Sequence, residues 1–150
     1  MSGIFGKLTA FFATDTQSSE AVIDPVAVAV AALMVRLARA DGSFDDMERA
    51  NIQASLTARF GDGESILAAG EAAEAAALDH HQFTKVLKDT YAPEERGALL
   101  EELWSVVLAD DARDMHEDAL MRQFSALLYV PEREVAEARQ RAMANKSNGD

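Results

Sequence analysis

The stretch "RADGSFDDMERANI" at 39–52 returns as "LADDARDMHEDALM" at 108–121. The two copies keep a constant offset of 69 residues: Asp41 falls on Asp110, Asp45 on Asp114 and Glu48 on Glu117. The register extends upstream, pairing Ala40 with Ala109, Leu37 with Val106 and Val35 with Trp104. In each copy an apolar run of helical period ends at Ala-Asp, an acidic break follows, and a second helix opens at Asp-x-x-Glu. A chain carrying this unit twice is constrained to two helix–break–helix units of like design in one domain. If the units pack about a pseudo-two-fold axis, Asp41, Glu48, Asp110 and Glu117 approach one another.

Periodicity and punctuation elsewhere predict an all-α chain of about seven helices. With 150 residues, 49% of them hydrophobic, it can bury the core of a single domain, residues 21–144. Asp24-Pro25 is an N-cap followed by proline at the first helical position, and the helix it opens should run to Asp41-Gly42. The next opens at Asp45 and ends at Phe60-Gly61. An Ala-rich helix is expected over roughly 63–78, its small side chains allowing close helix approach. Others follow over about 79–91, from Pro93, from Asp114 and from Pro131, and Trp104 falls on an apolar face. Residues 1–20 read as a short amphipathic helix (Ile4, Phe5, Leu8, Phe11, Phe12) and a polar linker, and 145–150 as a disordered tail.

Net charge is −12, from 26 acids against 14 lysines and arginines. That field repels a phosphate backbone and argues against nucleic acid, leaving cations and protein partners. The chain has no cysteine, which removes disulfides, thiolate metal sites and thiol chemistry, and suits a cytoplasmic setting. The most apolar run, 26–38, is too short to span a bilayer and contains Arg36. The segment 3–12 offers peripheral contact with the inner face of a membrane, set against docking on its own domain. His80-His81 beside Asp79 reads as a surface or capping pair and not a zinc site, since no third ligand lies nearby in sequence.

The Ala-Asp-Gly break followed by an Asp-x-x-Glu helix start, echoed by a second unit, resembles the TerB-like tellurite-resistance family. The likeness continues through "ARFGDGESILAAGEAAEAA", "QFTKVLKDTYAPEERGALLEELWSVVLAD" and "LMRQFSALLYVPEREVAEAR", covering roughly 24–141. The resemblance implies an all-helical domain of about seven helices, related to the N-terminal domain of membrane-anchored J-domain co-chaperones. It also implies a non-enzymatic stress-response role and a divalent-metal site built from both breaks.

Carried onto this chain, that site would use Asp41, Glu48, Asp110 and Glu117, with Asp45, Asp114 and His116 as further candidates. Carboxylate oxygens suit Ca²⁺, Mg²⁺ or Mn²⁺, and His116 would shift the preference toward a transition metal. A linear EF-hand is not met, because the twelfth position from Asp41 is Ile52. Helix capping is the competing explanation. Asp45-x-x-Glu48 and Asp114-x-x-Glu117 both fit a capping box, which needs no metal. Capping leaves Asp41 and Asp110 unexplained, at helix ends where negative charge is unfavourable. The second break replaces Gly42 with Asp111, so its shape should differ. The alternative function is a metal-dependent hydrolase of a small phosphate-bearing substrate, for which only Arg39, Arg49 and Arg113 lie near enough to meet the phosphate.

Overall fold

A computed structural model of the chain describes residues 23–40, 44–77, 79–109 and 115–149. Seven α-helices are described: α1 (Pro25–Ala38), α2 (Asp46–Phe60), α3 (Gly63–Ala76), α4 (His81–Thr90), α5 (Arg96–Ala109), α6 (Met115–Leu127) and α7 (Glu132–Gly149). A 3-10 turn (Pro93–Glu95) leads into α5, and no strand occurs among the described residues. The amphipathic helix and linker expected over 1–20 lie outside the described residues.

α1 is the hub. Ten of its 14 residues are buried, from Ala27 to Ala38. A helix apolar on every side has no solvent face and belongs in the middle of a bundle. It packs against α2, α3, α4, α5 and α6. Asp24 Oδ1 accepts from Val26 N at 2.9 Å, and Pro25 supplies the first helical residue, as the sequence predicts. The closest neighbour is α3. A Cβ placed on Gly70 would run into the Ala31 side chain and lie 3.1 Å from the Ala31 and Ala32 backbone. The absent side chain lets the two backbones touch, and the alanines of α3 complete that approach. Leu33, Leu37, Leu56, Leu67, Leu99, Leu103 and Phe124 are fully buried around this contact. Truncating any of the leucines to alanine costs about 2–5 kcal/mol.

The helix ends follow local chemistry. α2 stops at Gly61, whose φ of 103° is open to glycine at no steric cost. Asp62 then caps α3 through Ser65 N. α1 ends at Ala38, three residues short of the expected Asp41. Ala40 N has already tightened onto Leu37 O at 3.2 Å, and Arg36 and Arg39 both reach back to Glu74 on α3. The helix expected from Pro93 starts as a 3-10 turn, with Glu95 Oε1 accepting from Ala92 N at 2.8 Å, and becomes α-helical at Arg96.

α6 ends in a Schellman motif. Val130 N donates to Ser125 O at 3.0 Å and Tyr129 N to Ala126 O at 3.1 Å. The left-handed position of this motif usually falls to glycine, yet here it is Tyr129, with φ of 58°. The tail expected to be disordered over 145–150 is instead helical through Gly149, as the end of α7. Glu101 on α5 holds it there, accepting from Arg141 Nε at 2.7 Å and Asn145 Nδ2 at 2.9 Å. Among the described residues no helix is long and apolar enough to cross a membrane.

Candidate metal centre at the paired acidic breaks

The first break leads into α2 through a complete capping box. Glu48 N donates to Asp45 Oδ1 at 2.8 Å, and Asp45 N donates to Glu48 Oε1 at 3.1 Å. The sequence predicts this pairing, and it commits one oxygen of each acid to the helix start. Such a cap stabilises by about 1 kcal/mol.

The start of α2 and the end of α5 lie side by side. Glu48, Asn51, Ile52 and Ser55 of α2 face Ser105, Val106 and Ala109 of α5 across a cleft of about 30 Å³. Ala109 is the last residue of α5, so the helix start after the first break lies beside the helix end that leads into the second.

The repeat is not symmetric in environment. Glu48 is half-exposed at its helix start, whereas Glu117, its counterpart in the first turn of α6, is 2% exposed. A signal for this burial was present in the sequence. Glu117 shares the i, i+4, i+7 stripe of Met121 and Phe124, both fully buried. An inward carboxylate on an apolar stripe has to be offset by donors or a cation, because burying a charge is costly.

Asp41, Asp110 and Asp114 lie outside the described residues, as does the side chain of His116. Glu48, Glu117 and Asp45 are therefore the members of the candidate set whose side chains are described. Among the described residues no group of three or more His, Cys, Asp or Glu gathers as metal ligands. The end of α1 at Ala38 also removes Asp41 from the last helical turn, so the helix-dipole argument for a cation no longer applies to it.

The arginines near the breaks are directed elsewhere. Arg49 holds Glu71 of α3 through two hydrogen bonds, Nε to Oε2 at 2.9 Å and Nη2 to Oε1 at 2.6 Å. The hydrogen bond from Arg49 is the main reason the Glu71 carboxyl sits below the usual carboxylate range, against the opposing effect of burial. Arg39 lies 3.9 Å from Glu74 and over the Phe44 ring. Neither is placed to clamp a phosphate, and Arg113 falls outside the described residues. The hydrolase alternative therefore finds no support among the described residues.

Of the histidine pair, His81 is exposed as expected and His80 is not. His80 is buried edge-on to Phe124, with ring centroids 4.9 Å apart, while His81 stacks on it from outside. His80 is the N-cap residue of α4, and Asp79 Oδ1, one residue earlier, accepts from His81 N at 2.9 Å. Burial, then the Arg36 charge and His81, hold the His80 imidazole below its ordinary value, with Asp79 opposing.

The chain is similar in fold to a crystal structure of a protein of unknown function from Porphyromonas gingivalis W83. That likeness has a TM-score of 0.56 and 20% identity, and covers 88% of this chain and 99% of the other. Among curated proteins none matches. The sequence matches the family described as "Tellurite resistance protein TerB" over residues 27–140, which spans α1 to α6 and the first half of α7. The chain belongs to the TerB tellurite-resistance family.

Proposed function

We propose that the protein is a non-enzymatic module of the tellurite-resistance type that binds a divalent cation between its two acidic breaks and engages a partner protein. The observation that supports the cation reading is the cleft where Glu48, at the start of α2, faces Ala109, the last residue of α5. Glu48 and Glu117 would contribute oxygens there together with Asp41 and Asp110, a donor set of hard ligands suited to Ca²⁺, Mg²⁺ or Mn²⁺. A bound cation would supply charge neutralisation and a crosslink between the two helix–break–helix units, with no reaction attached to it.

The test is thermal unfolding of metal-stripped protein in EDTA and with each of Ca²⁺, Mg²⁺, Mn²⁺ and Zn²⁺, repeated on Asp41→Asn/Asp110→Asn. At 100 times its dissociation constant an ion stabilises by about 2.7 kcal/mol, a shift of roughly 5–10 °C for a domain of this size. One ion should raise the midpoint of the native protein and leave the double variant unmoved. If no ion shifts the native midpoint, and the double variant is as stable as the parent, the acids are helix caps and nothing more.

A further inference from the structure

The C-terminal half of α6 and the first half of α7 diverge from the strained corner at Tyr129, and between them lies an open groove of about 390 Å³. Its apolar lining is Ala126, Val130, Val135 and Ala136. Arg122 and Arg139 also line it, with Glu132 as its one acid, and Ser125 turns its hydroxyl back to Met121 O at 2.7 Å.

These two arginines differ from most of the others; Arg59, over the Phe60 and Tyr91 rings, also makes no ion pair among the described residues but does not line the groove. In a chain of net charge −12, Arg36, Arg39, Arg49, Arg133 and Arg141 each hold a glutamate, and Arg96 is bound by three carbonyls. Arg122 and Arg139 make no ion pair among the described residues. Arg139 lies over the ring of Trp104 at 5.4 Å, a packing that sets its guanidinium at the groove. Trp104 is 6% exposed, and its indole N–H has no acceptor among the described residues. Beside the groove, Tyr129 exposes 70% of its surface under the Lys88 ammonium, 4.6 Å from the ring centroid. An exposed aromatic residue held in a left-handed conformation is the kind of strain that persists where a surface is used.

We propose that this groove seats an acidic amphipathic helix of a partner protein. The partner's apolar side chains would occupy the space between α6 and α7, and its carboxylates would meet Arg122 and Arg139. The charge argues for this occupant. With two arginines against Glu132, the groove lining is net positive on an otherwise acidic protein, so a carboxylate-bearing ligand is drawn to this face and repelled by the rest. The site shares no residue with the acidic breaks. It deepens the partner-binding half of the proposed function and is independent of any metal.

The single tryptophan is a built-in reporter. The experiment titrates the full-length protein with a synthetic helical peptide bearing Leu at i, i+3, i+4 and i+7 and Glu on its flanks, following Trp104 emission and peptide anisotropy. Matched peptides with Lys for Glu, or Ser for Leu, serve as controls. Only the acidic, Leu-bearing peptide should bind. Arg122→Glu/Arg139→Glu should weaken it about tenfold or more, and Ala136→Trp, which fills the groove from an exposed position, should also abolish it. Circular dichroism establishes that both variants are folded, and an ion-dependent midpoint in them keeps the metal reading separate. Absence of binding to the native protein, equal binding of the Lys peptide, or unchanged binding to both variants overturns the proposal. Two other outcomes overturn it in favour of a different occupant. Binding that appears only in Phe5→Ser/Phe11→Ser means the chain's own N-terminal segment fills the groove. A dimer in sedimentation that Arg122→Glu/Arg139→Glu dissolves means a second copy does.

Discussion

Arg96 Nη1 donates to the Leu128 carbonyl at 3.0 Å, from one end of α5 to the last turn of α6. The same guanidinium donates through Nε to Tyr91 O at 3.0 Å and through Nη2 to Lys88 O at 2.9 Å. A buried cation without a carboxylate is thus satisfied by the carbonyl ends of two helices, where their dipoles are negative. Arg96→Met should destabilise the protein by about 2–3 kcal/mol, since hydrogen bonds to a charged group are lost and buried carbonyls are left exposed to nothing. Arg96→Lys should recover part of that, because an ammonium cannot reach three carbonyls in one plane. Urea unfolding measures both, and a loss below about 0.5 kcal/mol for Arg96→Met would show that water takes over the three carbonyls.

Tyr129 occupies the left-handed position that closes α6. For a residue with a Cβ this costs roughly 1 kcal/mol or more. Tyr129→Gly should therefore be neutral or stabilising by up to about 1 kcal/mol, even though it discards the contact with Lys88 and frees the unfolded chain. Tyr129→Ala should destabilise, since it keeps the strain and loses the ring. Thermal midpoints of the three proteins decide this. If glycine and alanine fall together, the strain is absent and the ring contact dominates.

Gly70 sets the distance between α1 and α3. Gly70→Ala adds a methyl where the Ala31 and Ala32 backbone lies 3.1 Å away, so the helices must separate. The expected cost is about 1–3 kcal/mol, against the gain in helix propensity of about 1 kcal/mol that alanine brings at an exposed site. Gly70→Ala combined with Ala31→Gly should restore much of the loss. Failure of that rescue would place the clash elsewhere.

His80 gives the fold a defined acid sensitivity. Its folded value lies below the ordinary 6.5, so as pH falls through 6.5 the unfolded histidine takes up a proton while the buried one does not. The unfolded state then binds more protons, and stability declines on the acid side of about pH 6.5 and is unaffected above it. His80→Phe keeps a ring against Phe124 and removes the titration. Its stability should be flatter between about pH 7 and 5 than that of the parent. Identical slopes for the two would show that the acid response belongs to the carboxylates.

Much of this architecture is readable from local sequence. Asp24-Pro25, Asp45-x-x-Glu48 and Gly61-Asp62 each specify a helix end through atoms within four residues of one another, so no distant contact is needed to form them. The all-helical class and the near equivalence of the two units follow from periodicity in the same way. The cleft between the start of α2 and the end of α5 is only hinted at by the repeat, because it depends on how α2 packs on α5.

What tertiary structure decided are the features in which one residue answers to a partner far along the chain. Arg96 looks like one more charge on a helix start until the ends of α4 and α6 converge on it. His80 looks like a surface residue until Phe124 covers it. The last turns of α7 look disordered until Glu101 gathers Arg141 and Asn145. In each case local sequence sets the dihedral preference, while at least one decisive partner sits on a helix more than 30 residues away. Arg122 and Arg139 are the clearest example. Their sequence neighbours offer nothing unusual, and only the divergence of α6 from α7 sets two guanidiniums over one apolar groove.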